Sequence, residues 1–363
     1  MLRQRLTTTF VWTIFVLGGA WSGSAQAAAL QGNPGQCSVE SGQLLITQGR
    51  YSQAIREFTC VISSNPTEVE GYRGRSEAEL LLGRYSDAMH TYTQVTAFVL
   101  PVHPDAKSTI LAGYASRLAG SPDDVTALMG ASFARWYFFD YAQAIPLLNH
   151  LLDVDPLNLF GNLFRGSTRL LHNATLRGIA DLEMAIALAP QSADVRWIVA
   201  AAYTYGLPDP SRAFLEATRA LNWGLNTPRI HAILGAAYFA FGEDDAAAVE
   251  IRTHIDMVTT ALLPASPLLA GTSMNLPVTP GQTYEIPLPV VAGETVSLAS
   301  SSHDYFDTIL VLLAPDGSTV LGADDTKGYF AGFNWAAGAS GTYRVRITFF
   351  EGVITGNIFV QRK

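Results

Sequence analysis

Five aspartates lie close together in the last third of the 363-residue chain, and their carboxylates could bind a hard cation together. They are Asp304, Asp307, Asp316, Asp324 and Asp325. Carboxylate oxygens suit Ca²⁺, which takes about six to eight oxygen ligands in a loose geometry. No regular calcium-binding loop surrounds them, however, and Asp is also a common turn former. The sequence therefore allows two interpretations, a calcium site at Asp307, Asp324 and Asp325, or ordinary turn chemistry.

The remaining reactive side chains form no recognisable catalytic motif. The seven histidines are spread along the chain, and none of them lies in an H-E-x-x-H zinc motif. The chain contains no Gly-x-Ser-x-Gly nucleophile elbow, phosphate-binding Gly-Lys-Ser/Thr loop or dinucleotide fingerprint. We therefore predict that the protein is not an enzyme and that it needs no cofactor, calcium being the one candidate.

The two cysteines, Cys37 and Cys60, lie on either side of a predicted helical hairpin. The hairpin turns at Gly49 and Arg50, so positions 37 and 60 fall nearly opposite each other. A disulfide there would join the two helices and restrict the unfolded chain, contributing about 3 kcal/mol if it is unstrained. The alternative is a pair of reduced, buried thiols.

The first 27 residues have the order of segments of a secretory signal peptide. Arg3 and Arg5 precede an apolar stretch of 11 residues, Phe10 to Ala20, and Ala25-Gln26-Ala27 is a small-residue cleavage site. The apolar stretch is shorter than the about 20 residues that span a bilayer comfortably. We predict export to an extracellular, periplasmic or envelope location, with no transmembrane segment in the mature chain. An uncleaved anchor is the alternative.

Composition excludes two broad classes of protein. Hydrophobic residues make up 48% of the chain, which is enough for sizeable cores and argues against intrinsic disorder. The 23 Lys and Arg are outnumbered by 31 Asp and Glu, giving a formal net charge of −8. Because the chain is acidic and has no Lys/Arg run, we predict that nucleic acid is not a partner.

A 34-residue period organises the middle of the chain. Gly49-Arg50-Tyr51-Ser52 recurs 34 residues later as Gly83-Arg84-Tyr85-Ser86, and Pro156 recurs as Pro190. Small residues stand where two helices of a hairpin must approach closely, and prolines stop the second helix of each hairpin. The pattern resembles the tetratricopeptide repeat over about residues 38–258, which implies an all-α solenoid of stacked hairpins.

The resemblance also implies a binding site. In this family the first helix of each hairpin lines the concave side of the solenoid, where a protein or peptide binds. Carried over to this sequence, the partner-binding residues are Arg73, Glu77, Phe133, Trp136, Tyr137, Phe160, Trp197, Tyr205 and Phe239. Aromatic side chains of this kind anchor apolar or extended peptides. The alternative is that many of them pack between repeats.

The repeat pattern is interrupted once and then ends. Residues 96–124 break the register around one helical piece, and they are either a degenerate repeat or an extra helix. Residues 259–277 lose the helical spacing and gain prolines, so we interpret them as a linker. We therefore predict a signal peptide at 1–27, a helical-repeat domain at 28–258, and a separate domain at 278–363.

The last domain has the pattern of an antiparallel β sandwich. Short apolar or alternating stretches recur about every 10 residues and are separated by turn sequences such as Pro315-Asp316-Gly317. Together with Asp324-Asp325 and Ala339 to Tyr343 (ASGTY), they resemble the bacterial pre-peptidase C-terminal domain. That resemblance implies a small jelly-roll-like appendage of secreted enzymes or envelope proteins.

Together these observations predict an exported, non-enzymatic scaffold. The solenoid would bind a protein or peptide in its groove, and the β sandwich would act as an envelope or substrate-targeting module. The alternative is an accessory subunit of a secreted hydrolase whose sandwich binds a polymeric substrate.

Overall fold

The computed structural model describes residues 37–172, 175–302, 307–324, 331–350 and 356–363. They divide into two compact units, the first holding residues 37–208 and 222–225 and the second holding 209–221 and 226–363. The predicted fold class, an array of helical hairpins followed by a small β sandwich, is the one observed, and the described strand pairs are antiparallel except for one parallel pair at a sheet edge.

The first unit is built from successive antiparallel helices. Two of them end in a π-helical turn, at Val95–Val99 and Ala202–Gly206. The helices are α1 (Val39–Thr47), α2 (Tyr51–Ser64), α3 (Val69–Leu81), α4 (Tyr85–Gln94), α5 (Ala106–Gly120), α6 (Val125–Tyr137), α7 (Tyr141–Val154), α8 (Leu159–Leu171), α9 (Thr175–Leu188) and α10 (Ala193–Ala201).

The turns of three hairpins in this unit contain a left-handed residue. Gly49 and Gly83, which recur at the 34-residue period, have φ angles of 70° and 71°. In the hairpin of α6 and α7 the same place is taken by Phe139, with a φ of 60°. Glycine adopts this conformation without the steric cost that a side chain brings. The repeated Gly-Arg-Tyr-Ser sequence is therefore a turn followed by the first residues of a helix.

The interrupted register of residues 96–124 contains an additional helix, α5. It lies between the hairpin of α3 and α4 and the hairpin of α6 and α7 in the chain, and it packs against α3 and α6. Tyr114 of α5 is fully buried. A Cβ atom added at Gly130 of α6 would lie 2.3 Å from the Tyr114 ring. The missing side chain at position 130 is thus what lets α5 approach α6.

The second unit combines three helices with two sheets. A five-stranded sheet has the order β1-β3-β8-β5-β6, and a four-stranded sheet has the order β2-β9-β4-β7. The elements are α11 (Pro210–Asn222), α12 (Pro228–Phe241), α13 (Asp244–Val258), β1 (Ala261–Pro264), β2 (Ser273–Val278), β3 (Gln282–Val290), β4 (Thr295–Ser302), β5 (Thr308–Leu313), β6 (Thr319–Asp324), β7 (Gly332–Ala336), β8 (Gly341–Phe349) and β9 (Gly356–Arg362).

Helix α13 belongs to the core of this second unit. Its Ile251 and Ile255 form one apolar cluster with Ile309, Val311 and Leu313 of β5. Because the opposite face of β5 lies inside the sandwich, this strand is buried along its whole length. The units therefore divide near residue 208, and not at the predicted boundary of 258, because the last helices bury their apolar faces on the sheet.

The segment predicted to be a linker, residues 259–277, instead supplies two strands. Strand β1 pairs with β3, and β2 pairs with β9. Both are outermost in their sheets. Proline cannot donate to a strand ladder but is tolerated at a sheet edge, so Pro264 and Pro277 fit these strands. The linker interpretation is wrong for this reason.

Candidate functional site

The structure buries most of the residues predicted to line a groove. The exposed fractions are 0% for Phe133, Trp136 and Tyr137, 1% for Phe160 and 3% for Trp197. These five aromatic side chains lie on the first helices of three successive hairpins, α6, α8 and α10. We call the surface that these helices form the aromatic face.

Helix α4 covers the aromatic face. The Tyr92 ring lies 5.3 Å from the rings of both Phe133 and Tyr137. About two helical turns earlier on α4, the Tyr85 ring lies 6.0 Å from the Phe160 ring and 5.5 Å from the Phe164 ring, and both of these residues are on α8. Helix α4 thus packs one of its aromatic rings against α6 and another against α8, at ring separations typical of favourable aromatic pairs.

A polar contact fixes the N-terminal end of α4 at α10. The Ser86 hydroxyl and the Ser86 backbone N–H both donate to Oδ1 of Asp194, at 2.6 and 2.7 Å. Burial raises the pKa of Asp194, and the two hydrogen bonds from Ser86 oppose that rise. Burial also raises the pKa of the nearby Tyr85 phenol, and the charge of Asp194 adds to the effect.

The side chains by which α4 contacts the aromatic face are buried. Tyr85, Met89 and Tyr92 are at most 3% exposed. At about 1.5–3 kcal/mol for each large buried side chain, removing them would cost on the order of 5–9 kcal/mol. That is comparable to the about 5–15 kcal/mol that stabilises a whole domain. The prediction that these aromatics line an open groove is therefore corrected, because they form the core of the first unit.

Arg73 and Glu77 are also held inside the first unit. The Glu77 side chain is 1% exposed and accepts two hydrogen bonds of 2.8 Å from the guanidinium of Arg117 on α5. The Arg73 guanidinium donates a hydrogen bond to the Glu70 carboxylate and lies 3.6 Å from the Glu77 carboxylate. Arg117 in turn reaches Asp124, at the start of α6. The two predicted residues join α3, α5 and α6, and they are not presented to a partner.

Two of the predicted residues remain accessible, Tyr205 and Phe239. Tyr205 is half-buried in the π-helical turn after α10. Phe239, near the end of α12, is 36% exposed. It lines a cavity of about 430 Å³ in the second unit, which we call the edge cavity. The lining residues are Phe239, Asp244, Val320, Leu321, Gly322, Ala323, Gly332, Phe333 and Asn334.

The edge cavity runs along the sides of two strands. Four consecutive residues of β6, Val320–Ala323, and three consecutive residues of β7, 332–334, line it. Successive side chains of a strand point to opposite faces. A cavity lined by several residues in succession must therefore follow the edge of the strand, where the backbone itself is exposed. Among the described strands, β6 and β7 are the outermost strands of their sheets on this side.

The surroundings of the cavity combine apolar and acidic groups. Leu321 and Phe333 supply apolar side chains from the two sheets, and Phe239 supplies an aromatic ring from α12. Asp244, at the start of α13, adds a carboxylate, and its neighbours Glu243 and Asp245 are exposed as well. The arrangement can hold apolar side chains while attracting positive charge at its mouth.

The predicted calcium ligands are only partly placed. Asp307 is 4% exposed just before β5, and Asp324 ends β6. Asp325 lies outside the described residues, as does Asp304. Within the described ranges, no three His, Cys, Asp or Glu side chains are grouped so that they could hold a metal ion. Calcium binding at Asp307, Asp324 and Asp325 remains a prediction.

The two cysteines are joined. Cys37 and Cys60 form a disulfide, with a Cα–Cα distance of 6.1 Å.

The predicted signal peptide, residues 1–27, lies outside the described residues. In the part of the chain that the structure describes, every helix is too short or too polar to cross a membrane.

Phe239 is predicted from the sequence as a residue of the solenoid groove, and the structure places it instead at the edge cavity, whose other lining residues are not predicted. Leu321 and Phe333 lie on β6 and β7. The sequence does not predict that these strands form the edges of their sheets, because strand order depends on pairing between distant segments. A repeat pattern likewise gives no sign that α4 will cover the aromatic face.

No protein-family model matches the chain, and no curated protein is significantly similar to it. Among solved structures, the chain is similar to a tetratricopeptide repeat protein from Parabacteroides merdae, at 15% identity over 61% of this chain and 78% of that one, with a TM-score of 0.40. A tetratricopeptide repeat protein from Thermus thermophilus is 19% identical over 57% of this chain and 98% of its own, with a TM-score of 0.37.

A third similar structure concerns a smaller part of the chain. The pre-peptidase C-terminal domain of a collagenase from Bacillus anthracis is 12% identical over 28% of this chain and 95% of its own, with a TM-score of 0.24. The two resemblances stated from the sequence, to tetratricopeptide repeats and to the pre-peptidase C-terminal domain, are thus both found among solved structures.

Proposed function

We propose that the protein is an exported, non-enzymatic scaffold that binds a protein partner at the edge cavity. The helical-repeat unit acts as a rigid body, because its aromatic face is filled by its own α4. The β sandwich carries the binding surface and directs the protein to an envelope or extracellular target.

The observation that carries this proposal is the difference between Phe239 and the other predicted aromatics. Phe239 is 36% exposed and lines a cavity, whereas the five aromatics on α6, α8 and α10 are at most 3% exposed. Exposed aromatic side chains beside a cavity are typical anchors for a partner.

Two features support export. The N-terminal sequence has the order of a signal peptide, and the Cys37–Cys60 disulfide suits an oxidising compartment. Both are independent of the edge cavity, so the location of the protein can be tested separately from its binding site.

The test is a capture experiment with the full chain and a matched pair of variants. The wild type, Phe239→Ala and Phe359→Ala would be immobilised and exposed to native envelope extract and culture medium. Phe359 is a suitable control because it is 39% exposed and lies on β9, away from the residues that line the cavity. Captured proteins would be identified and quantified by mass spectrometry.

We expect one protein to be captured by the wild type and Phe359→Ala, and to be lost from Phe239→Ala by about tenfold or more. Equal capture by all three would contradict the proposed site. Retention on an insoluble polysaccharide, with no captured protein, would instead support an accessory subunit of a secreted hydrolase.

A further inference from the structure

We infer that the edge cavity is a strand-addition site, in which an extended, basic and apolar segment of a partner protein pairs with β6. The inference rests on the proposed function and specifies the chemistry of the partner. It follows from the backbone of β6, from the side chains on either side of it, and from the charge at the mouth of the cavity.

The backbone of β6 is available for pairing on one side. In the described part of the chain, the backbone of Val320–Ala323 pairs with β5 and with no other strand. In an antiparallel ladder, alternate residues direct their N–H and C=O groups away from the neighbouring strand. Some of these groups in Val320–Ala323 therefore point toward the edge cavity, which follows the same four residues. An extended peptide can satisfy such groups by adding a strand to the sheet.

The side chains around β6 set what the added strand must carry on each face. Leu321 and Ala323 lie opposite Leu312 and Leu310 of β5, which are fully buried. An added strand would continue this apolar layer with every second side chain, toward Leu321 and Phe333. The other face is bounded by α13, since an added Cβ at Gly322 would lie 3.0 Å from Ile251. The helical corner holding Phe239 and Asp244 borders the cavity as well.

The charge at the mouth favours a basic partner over an acidic one. Glu243, Asp244 and Asp245 are consecutive and exposed at the start of α13, and the whole chain carries a formal charge of −8. Like charges brought together at an interface disfavour binding, and complementary charges favour it and speed association. A segment in which Lys or Arg alternates with Val, Ile or Phe meets both requirements, because strand residues alternate between the two faces.

The test uses defined peptides with the unaltered full chain. A short fluorescent peptide of alternating Lys and Val would be titrated with the protein, and binding followed by anisotropy. The first control peptide has Glu in place of every Lys. The second has the same side chains but methylated backbone nitrogens on alternate residues, which removes the donors that a ladder needs. Hydrogen exchange of the Val320–Ala323 amides would be measured with each peptide.

We expect the Lys-Val peptide to bind and to slow exchange at Val320–Ala323, and both control peptides to bind about tenfold or more weakly. Equal binding of the methylated peptide would overturn strand addition. Failure of every peptide, while a natural partner still depends on Phe239, would also overturn it and leave the proposed function standing. Loss of the Phe239 dependence itself would instead contradict the proposed function.

Discussion

Ser86 and Asp194 are separated by 108 residues, yet the serine hydroxyl and backbone N–H both donate to the same carboxylate oxygen. Helix α4 begins beside Arg84, whose side chain makes no capping hydrogen bond. The first N–H groups of a helix have no partner within it. Asp194, in the first turn of α10, therefore caps α4 from another part of the fold and holds it on the aromatic face.

Replacing Asp194 by Ala should destabilise the protein. The change leaves the Ser86 N–H and hydroxyl without their acceptor in a partly buried place, which costs about 1–3 kcal/mol. The free energy of unfolding would be measured by urea denaturation. Arg84→Ala is the matched control, because its pair with Asp87 is exposed and such pairs contribute about 0–1 kcal/mol. Equal effects of the two changes would contradict the cap.

Gly130→Ala tests the approach of α5 to α6. The new Cβ would lie 2.3 Å from the buried Tyr114 ring, and overpacking of this kind costs about 1–3 kcal/mol. Gly120, at the end of α5, is the control because nothing lies within 4 Å of its added Cβ. Gly120→Ala should be neutral or stabilise by up to about 1 kcal/mol. Thermal unfolding of both variants separates these outcomes, and a harmless Gly130→Ala would show that the helices are more loosely packed.

Arg117→Ala tests the ion pair between α3 and α5. The change leaves the 1% exposed Glu77 carboxylate with two weaker partners, Arg73 at 3.6 Å and the Gln43 amide at 3.5 Å. Removing one member of a buried pair costs about 3–5 kcal/mol, and the remaining Arg73 should keep the loss near the lower end. Combining Arg117→Ala with Glu77→Gln should recover part of the lost free energy of unfolding, measured by urea denaturation. If the single and double variants are equally unstable, the buried charge is not the cause.

His254 should make the stability of the second unit depend on pH. The ring is 1% exposed, and its two nitrogens lie 2.9 Å from the Pro228 carbonyl and 2.7 Å from the Phe350 carbonyl. Burial lowers its pKa to about 4, and the charges of His231 and Arg229 act in the same direction, while the two carbonyls oppose them. The unfolded chain therefore takes up the proton first, near pH 6.5.

Stability contributed by the neutral His254 is thus present above pH 6.5 and is lost as the pH falls toward 4. At about 1.4 kcal/mol per pKa unit, the loss is on the order of 3 kcal/mol. Urea denaturation of the wild type and His254→Gln between pH 7 and pH 4 isolates this contribution, because other carboxyl groups affect both proteins. Parallel pH profiles would contradict it.

The 34-residue period predicted the helical hairpins because it reports local packing. Gly49 and Gly83 take the left-handed turn that the recurring sequence indicates. Likewise, Pro156 and Pro190 follow shortly after α7 and α9 end. These features depend on residues close in sequence, and so a single sequence contains them.

Residues close in sequence do not show whether the predicted groove is open, because the position of α4 depends on contacts with helices far along the chain. Phe133 and Phe160 have the spacing of groove residues, but Tyr92 and Tyr85 bury them. The same holds for the edge cavity, which exists because β6 and β7 end their sheets. The linker prediction at residues 259–277 is wrong for a related reason. It rested on prolines such as Pro264 and Pro277, which edge strands tolerate, and the sequence does not show which strands lie at an edge.

Hydrogen exchange with the captured partner tests the central claim most directly. The partner retained by the wild-type chain would be added in excess, and amide exchange compared with and without it. We predict slower exchange at Val320–Ala323 and at residues 332–334, with no change in α6, α8 and α10. Protection of α6, α8 and α10, with β6 and β7 unchanged, would show that the partner binds the helical repeats and contradict a binding site at the edge cavity.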